Sequence, residues 1–272
     1  MNTDALKSEI AAVLAEYPDA EVGVSIRDRS REVTIDVSGD LVFHAASTMK
    51  IAVMIELYRQ SAEGYFGLDD SLQITNEFSS IVDGSTFSIE EDSDTEIYSM
   101  LGQRVPIRSL VYRLITSSSN LATNILINLV TADSVQATIE RMGIRHMEVL
   151  RGVEDLKAFD AGMNNTTTAA DLALLLEALR DGEVVSSAAS AEMLEIMSDV
   201  PLEMIMANRG ESGRVAHKTG MITAHHHDAG IVFPDNEQPY ILVILTRGIA
   251  EDQESTRMGR EISEVVYRHL RG

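Results

Sequence analysis

The chain has 272 residues, and 22 Lys and Arg against 43 Asp and Glu give it a formal net charge of −21. So acidic a protein is repelled by phosphate backbones and anionic lipid surfaces, which disfavours nucleic acid and membrane partners. A hydrophobic content of 44% argues against disorder, and the lack of cysteine excludes disulfides, thiol nucleophiles and thiolate-bound metal clusters.

The N-terminal residues show no basic segment followed by an apolar run, so they do not predict a signal peptide. Apolar runs such as Tyr240–Leu245 are far shorter than the roughly 20 residues that span a bilayer. As written, the sequence predicts a soluble cytoplasmic protein, or a periplasmic or secreted one if a leader has been removed. No heptad pattern demands a partner chain, so we expect a monomer or a weak homo-oligomer.

Hydrophobic periodicity predicts helices and strands in alternation along the first part of the chain. In chain order these are a helix over 3–16, strands Glu21–Arg27 and Glu32–Val37 joined as a hairpin, an apolar run at Leu41–Phe43, and a helix from about Thr48 to Ala62. Residues 64–106 are predicted to be irregular, and their acidic stretch Glu90–Asp94 is interpreted as a solvated loop.

From residue 107 the pattern is mostly helical, and strand patterns return near the C-terminus. The predicted elements are helices Ile107–Thr116, Leu121–Val130, Ser134–Met142, about Thr168–Arg180 and Ala188–Asp199, strands Arg214–Lys218, Ala229–Phe233 and Tyr240–Thr246, and a helix from about Glu254 to Leu270. This order predicts an α/β (α+β) fold, with an antiparallel sheet flanked by helices from both termini. We expect a single domain over 1–272, with an α/β lobe (about 1–45 and 213–272) and an inserted, mostly helical lobe (about 46–212).

Three short motifs could carry chemistry, and the first is Ser47-Thr48-Met49-Lys50. Positions i and i+3 share a helix face, so the lysine amine can lie beside the serine hydroxyl. A lysine with a depressed pKa can take the serine proton and make the hydroxyl nucleophilic. Alone, the same pattern also arises by chance at a helix start that carries a surface lysine.

The other two motifs are also ambiguous when taken alone. Ser118-Ser119-Asn120 lies between two predicted helices and could be a polar helix cap. Lys218-Thr219-Gly220 ends a predicted strand and could mark a turn. In the functional interpretation, this triplet is a cationic strand edge that holds an acyl substrate and its carboxylate, and its glycine leaves room for that substrate.

Together and in this order, the motifs resemble the signature of the serine β-lactamase and penicillin-binding protein superfamily: Ser-x-x-Lys, Ser-x-Asn and Lys-Thr-Gly. The spacing is similar to that of class A β-lactamases, with 71 residues from Ser47 to Ser118 and 100 from Ser118 to Lys218. The middle residue departs from the family's Ser-Asp-Asn, since this chain has Ser119. The resemblance extends over most of the chain and implies the family's two-lobe fold.

For the acylation step, the resemblance implies a role for each motif residue. Ser47 would be the acylated nucleophile and Lys50 its base or proton relay. Ser118 would pass a proton to the departing nitrogen. The backbone N–H groups of Ser47 and Met221 would form the oxyanion hole.

The resemblance also implies how a substrate would be held. Asn120 would bind its side-chain amide, and Lys218 and Thr219 would bind its carboxylate beside Gly220. Asn124 matches a family asparagine that packs against the loop used for deacylation.

Class A enzymes hydrolyse their acyl-enzyme with a loop glutamate that activates a water, and the candidate loop here runs from Leu150 to Thr167. The family has Arg, one aromatic residue and then Glu, whereas this chain has Arg151, two residues and then Glu154. We predict Glu154 as the deacylating base, with Asp155 as the second candidate. The alternative is an ordinary solvated carboxylate, in a protein that binds penicillin without destroying it.

The consecutive histidines 225–227 are the other conspicuous cluster. Strand neighbours alternate sides, so the triplet does not predict a metal site. The family often places an arginine in this region to bind the substrate carboxylate, and the sequence has none between Arg214 and Arg247. We hypothesise that one of the histidines His225, His226 or His227 recognises the anion instead; a structural histidine is the alternative.

The sequence therefore predicts a serine hydrolase with an acyl-Ser47 intermediate and a small-molecule acyl substrate, with β-lactam hydrolysis as the leading hypothesis. The alternatives are an esterase or amidase acting on a non-lactam substrate, and a penicillin-binding sensor that is acylated without turnover. No cofactor or metal is expected. Only four of the 22 basic residues are lysines, and two of these lie in the motifs, which favours a role for a deprotonable amine.

Overall fold

A computed structural model describes residues 2–201, 203–205, 213–235 and 237–271 of the chain. The helices α1–α9 are, in chain order, Thr3–Leu14, Lys50–Ala62, Ile107–Thr116, Asn120–Val130, Ala132–Arg141, Leu156–Asp160, Ala169–Arg180, Ser187–Ser198 and Asp252–Arg271. The strands β1–β11 are Glu21–Asp28, Val33–Val37, Phe43–His44, Ser71–Gln73, Phe78–Ser79, Thr86–Phe87, Arg104–Pro106, Thr166–Thr167, Arg214–Ile222, His225–Phe233 and Tyr240–Arg247. Short 3-10 helices span Arg29–Arg31, Ala46–Met49 and Glu96–Met100.

Five antiparallel strands form the main sheet in the order β2-β1-β11-β10-β9. Strands β1 and β11 are buried along almost their whole length, because helices cover both faces of the sheet. β1 pairs with β11, with Glu21 opposite Arg247, so the two ends of the chain close one sheet. The predicted fold class is confirmed, and β9 forms an edge of the sheet as the described strands define it.

Apolar side chains form a layer on each face of this sheet. On one face α1 and α9 pack over the strands and bury residues such as Leu6 and Ile10, which lie one helical turn apart. On the other face, the core joins the sheet to the helices between α2 and α8. Met54, Met193 and Met197 are fully buried there, so these methionines fill the core.

Apart from α6, the helices begin and end within two residues of their predicted bounds, whereas β9 and β10 are much longer than predicted. β9 continues to Ile222 and β10 begins at His225, so the Lys-Thr-Gly triplet lies inside β9 and the histidine triplet inside β10. Polar residues interrupt the apolar pattern in both strands, which is why the sequence underestimates them. Helix α6 was not predicted, because five residues are too few to show a helical period.

The predicted lobe boundary between residues 212 and 213 borders the stretch 206–212, which lies outside the described residues. The division into two lobes therefore stays a prediction. Among the helices that the structure describes, none has both the length and the apolar character needed to cross a membrane.

Candidate active site

Ser47 lies in the 3-10 helix Ala46–Met49, which leads directly into α2. The sequence predicted a regular helix from Thr48, but Ala46 adopts a left-handed conformation with a φ of 46°, and the chain enters the helix through a tighter turn. The Ala46 N–H donates to His44 Nδ1 at 3.0 Å, which fixes the turn just before the serine. Ser47 remains partly exposed, so a ligand can reach it.

Strand β9 passes directly beside this turn at Gly220. A Cβ atom at this position would lie 3.0 Å from Ser47 N and 3.1 Å from Thr48 N. Both are backbone atoms, which cannot move aside as the end of a flexible side chain can. Glycine therefore permits the close approach of the strand to Ser47.

The Met221 N–H points toward the free edge of β9. His226 directs both of its backbone polar groups to Thr246 Oγ1 on β11, at 3.3 and 2.8 Å. Met221 is the β9 partner of His226, and facing residues of an antiparallel pair turn their backbone groups the same way, either toward or away from each other. The Met221 N–H therefore faces away from β10, an orientation compatible with the predicted oxyanion hole.

Lys50 is the first residue of α2, and its side chain is completely buried. Its Nζ donates to Ser118 O at 2.6 Å, to Asn120 Oδ1 at 3.0 Å and to Ser118 Oγ at 3.3 Å. Burial, followed by the charge of Lys218, holds the pKa of Lys50 well below its ordinary value. A larger fraction of this amine is unprotonated than of a surface lysine, and only the unprotonated form can accept a proton.

Ser118 lies between two lysines and has a left-handed backbone with a φ of 52°. Lys218 Nζ donates to Ser118 Oγ at 3.0 Å and to Thr219 O at 3.0 Å. Lys218 is also completely buried, and burial lowers its pKa to about 8. A hydroxyl placed between two such amines can pass a proton from one nitrogen to another group in the cleft.

Glu154 reaches the same cluster from the loop that precedes α6. Its Oε1 accepts a hydrogen bond from Asn120 Nδ2 at 3.3 Å, and its backbone is left-handed with a φ of 61°. Partial burial, followed by the charge of Glu91, raises the pKa of Glu154. Backbone strain of this kind persists where the surrounding structure holds it, often at functional sites.

Asn124 fixes the loop next to Glu154 with two hydrogen bonds to one residue. Its Oδ1 accepts from the Val153 N–H at 2.7 Å and its Nδ2 donates to Val153 O at 2.9 Å. A Cβ atom at Gly152 would overlap the Asn124 side chain, so this contact needs a glycine there. Asn124 thus packs against the candidate loop as expected.

Asp155, the second candidate base, faces away from the cluster. Its Oδ1 accepts from Ser80 Oγ at 2.9 Å and from the Ala158 N–H at 3.1 Å, and its Oδ2 accepts from the Ile81 N–H at 2.9 Å. Asp155 therefore caps α6 and ties the loop to its neighbour. This placement argues against a role in deacylation.

His226 does not reach the cleft, because it points to the opposite face of the sheet from its two neighbours. Its ring lies between Ser255 Oγ at 2.7 Å and Glu203 Oε2 at 2.6 Å. These contacts hold α9 on the sheet. The hypothesis that a histidine binds the substrate anion is not supported for His226.

The His227 side chain is buried, and both of its ring nitrogens form hydrogen bonds within the protein. Its Nδ1 accepts from the Thr246 N–H at 3.2 Å, and its Nε2 donates to His44 O at 2.9 Å. Burial lowers the pKa of His227 to about 4, so the ring is neutral at pH 7 and carries no charge for an anion. His225 is the member of the triplet that is partly exposed.

The acidic stretch 90–94 is a loop, as predicted, but it is solvated only in part: Glu90 and Glu91 are exposed, whereas two of its aspartates have partners in the protein. Asp94 is buried and forms an ion pair with Arg113 at 2.8 Å. Asp92 accepts hydrogen bonds from the N–H groups of Asn120 at 2.9 Å and Leu121 at 2.8 Å. The prediction was wrong for Asp92 and Asp94, because a run of charges does not reveal partners that are distant in sequence.

The predicted site residues thus come together from four parts of the fold: the start of α2, the start of α4, β9 and the loop before α6. Direct hydrogen bonds connect Lys50, Ser118, Asn120, Lys218 and Glu154. Backbone contact brings Gly220 to Ser47, and Thr219 is partly exposed next to it on β9.

Comparisons with known proteins show which family and fold this chain shares. The chain matches the model of a family described as "Beta-lactamase enzyme family" over residues 5–270. Among solved structures, a beta-lactamase from Sphaerobacter thermophilus DSM 20745 is 24% identical, with a TM-score of 0.83 over 99% of this chain and 98% of that one. PBP-A is 24% identical, with a TM-score of 0.84 over 98% and 96% of the two chains. Curated proteins gave no match.

A variant of PBP-A, solved as an acyl-enzyme complex with penicillin G, is 25% identical to this chain. It covers 98% of this chain and 96% of its own, with a TM-score of 0.84. The structural matches have the same β-lactamase fold, and the family match extends over nearly the whole chain. The chain belongs to the beta-lactamase enzyme family, within the superfamily of serine β-lactamases and penicillin-binding proteins.

Proposed function

We propose that this protein is a serine hydrolase of the class A type that opens the amide bond of β-lactams through an acyl-enzyme at Ser47. The observation that carries the proposal is the convergence of two completely buried lysines on Ser118, next to the Ser47 turn. Burying two amines close together disfavours the folded state. Such an arrangement therefore supports a chemical role for both lysines, Lys50 and Lys218.

In the acylation step, the unprotonated Lys50 amine takes the proton of Ser47 Oγ as that oxygen attacks the lactam carbonyl carbon. The backbone N–H groups of Ser47 and Met221 stabilise the oxyanion that forms. When the C–N bond breaks, Ser118 Oγ gives its proton to the departing nitrogen and regains one from Lys50. The serine proton has then moved to the lactam nitrogen, and Lys50 is again unprotonated.

The substrate is held by groups on both sides of Ser47. Lys218 and Thr219 bind the substrate carboxylate at the edge of β9, and Asn120 forms a hydrogen bond with the side-chain amide. These contacts fix the lactam carbonyl over Ser47, which lowers the entropic part of the barrier.

Deacylation uses Glu154 as the general base. Its carboxylate takes a proton from a water molecule as the water oxygen attacks the acyl-ester carbonyl. The ester C–O bond then breaks, and Ser47 Oγ recovers the proton from Glu154. The hydrogen bond between Asn120 and Glu154 supports this assignment, because it holds the carboxylate beside the residues that acylate.

Intact-protein mass spectrometry combined with a chromogenic β-lactam assay tests the proposal. We expect the wild type to hydrolyse the lactam without a lasting adduct, Ser47→Ala to be inactive, and Glu154→Gln to accumulate an adduct on Ser47. Asp155→Asn is the matched loop variant, and we expect it to trap no adduct because its carboxylate faces away.

Other outcomes would favour the alternatives. A stable adduct on the wild-type protein indicates a penicillin-binding protein without turnover. The absence of any adduct, together with hydrolysis of p-nitrophenyl esters, indicates an esterase or amidase. Full lactam hydrolysis by Ser47→Ala contradicts the whole scheme.

A further inference from the structure

Asp92 lies outside the three motifs, yet its carboxylate accepts several hydrogen bonds from groups at the start of α4. Oδ1 accepts from the Asn120 N–H at 2.9 Å, and Oδ2 accepts from the Leu121 N–H at 2.8 Å. Tyr98 Oη and Ser119 Oγ donate to the same Oδ2 at 3.2 and 3.4 Å. A single carboxylate thus joins the loop after β6 to the second motif.

The first N–H groups of a helix have no partner within the helix, and they carry a partial positive charge. Ser119 caps α4, and its Oγ accepts from the Ala122 N–H at 3.2 Å, one residue beyond the N–H groups that Asp92 binds. Asp92 accepts from the two preceding N–H groups, those of Asn120 and Leu121. The second motif here has serine in place of the family's middle aspartate, and a carboxylate reaches the same turn from residue 92.

The turn that Asp92 holds is the one that contacts Lys50. Ser118 O and Asn120 Oδ1 accept from Lys50 Nζ at 2.6 and 3.0 Å, and Asn120 Nδ2 donates to Glu154. Because Ser118 has a left-handed backbone, its carbonyl faces the amine only while the turn keeps its shape. A shift at the start of α4 would move both acceptors of Lys50 and the donor to Glu154 together.

We propose that Asp92 is a positioning residue of this site: its carboxylate locks the Ser118–Asn120 turn against Lys50 and supplies a fixed negative charge that the motif itself lacks. The effect on acylation rests on the proposed function. The effect on Lys50 itself does not, because Asp92 holds the backbone of Asn120, whose Oδ1 accepts from the Lys50 amine.

Among the described residues, charges from three different parts of the fold act on Lys50. Lys218 on β9 repels its proton, whereas Asp92 and Glu154 from two loops attract it. Removing the Asp92 charge leaves Lys218 opposed by Glu154 alone. We therefore expect the Lys50 ammonium to lose its proton at a lower pH in an Asp92→Asn variant than in the wild type.

The test uses the scarcity of lysine in the full-length protein. With [13C]-labelled lysine, four side chains give Cε signals, and Lys50→Arg identifies the one that belongs to Lys50. Asp92→Asn is compared with Glu90→Gln, which removes a negative charge from an exposed side chain of the same stretch. Each protein is titrated by NMR, and its acylation rate is measured against pH by mass spectrometry with penicillin G.

We expect Asp92→Asn to lower the Lys50 titration midpoint by about one pH unit. We also expect it to slow acylation about 100-fold, because the turn is displaced, and to move the acidic limb of the rate profile to lower pH. Glu90→Gln should change neither quantity.

The proposal is overturned if Asp92→Asn lowers the melting temperature but leaves the Lys50 midpoint and the shape of the rate profile unchanged, since a merely structural cap would do that. If no protein is acylated, the proposed function fails, and the NMR titration still decides the role of Asp92.

Discussion

At the scale of single residues, two amines share one hydroxyl: Lys50 and Lys218 Nζ lie 3.3 and 3.0 Å from Ser118 Oγ. In buried surroundings two ammonium groups this close repel each other, and the charge of Lys218 helps to lower the pKa of Lys50. The most favourable arrangement has one of the two lysines protonated and the other neutral. One lysine can then act as an amine while the other attracts an anion.

Replacement of Lys50 by arginine tests whether an amine is needed. A guanidinium keeps its proton at any working pH, so it cannot take the Ser47 proton. We expect Lys50→Arg to fold and to lose acylation by about 10³-fold. Circular dichroism and burst-phase acylation check this, with the exposed Lys7→Arg as the control. An acylation rate within a factor of three of the wild type would exclude Lys50 as the base.

The pKa of Lys218 predicts how substrate binding changes with pH. Burial lowers this pKa to about 8, so the side chain is an ammonium below pH 8 and a neutral amine above it. The KM of an anionic β-lactam should therefore rise as the pH passes through 8, while the KM of an uncharged ester stays level. Steady-state kinetics from pH 6.5 to 9.5 measure both. A KM for the lactam that stays constant to pH 9.5 contradicts a role for Lys218 in carboxylate binding.

At the scale of structural elements, the loop that carries Glu154 is held by a buried arginine with uncharged partners. The Arg151 guanidinium donates to Met163 O at 2.8 Å, to Gly152 O at 3.0 Å and to Asn164 Oδ1 at 3.1 Å. Within the described part of the chain, the acceptors of these bonds are neutral oxygens. A hydrogen bond between two charged groups is about twice as strong as a neutral one. A carboxylate partner for Arg151 would therefore hold the loop more firmly than the neutral oxygens do.

We expect Asn164→Asp to stabilise the protein by about 1 kcal/mol, because a carboxylate would meet the Arg151 guanidinium. The same substitution at the neighbouring residue, Asn165, should have the opposite effect on stability. Asn165 is buried and its Nδ2 donates to Arg151 O at 3.0 Å, so Asn165→Asp would set a carboxylate against a carbonyl and destabilise the fold by about 2 kcal/mol. Thermal unfolding and limited proteolysis of the loop measure both. Equal shifts for the two variants would contradict this account.

The sequence predicts most elements that have a long period, and it predicts the motif residues that meet at Lys50. It does not predict α6 or the full length of β10, because short or polar segments lack a recognisable alternation. The sequence also does not predict the role of Asp92, for a different reason. Its donors Asn120 and Leu121 lie in another element, nearly thirty residues further on. Contacts of that kind depend on the tertiary fold and produce no recognisable spacing of residues in the sequence.

At the scale of the whole molecule, the net charge of −21 acts on any anionic substrate that approaches. Long-range repulsion slows association at low salt, and added salt screens it within a Debye length. We expect kcat/KM for an anionic β-lactam to rise roughly threefold between 0.02 and 0.3 M salt. An uncharged ester is the control and should show no rise. A fall with salt would mean that local attraction by Lys218 outweighs the global charge.

The pairing of β1 with β11 also decides when a growing chain can react. Glu21 finds its partner Arg247 only 226 residues later, and such distant pairing slows folding. Ser47 leaves the ribosome long before Lys218, Gly220 and Met221 are made. Under the proposed mechanism, a nascent or truncated chain therefore presents Ser47 without the lysine that binds the substrate carboxylate and without the second N–H of the oxyanion hole. If Ser47 acts as proposed, closure of the sheet sets the time at which it becomes reactive, because only a chain that has been synthesised through β11 can hold Lys218 and Met221 beside it.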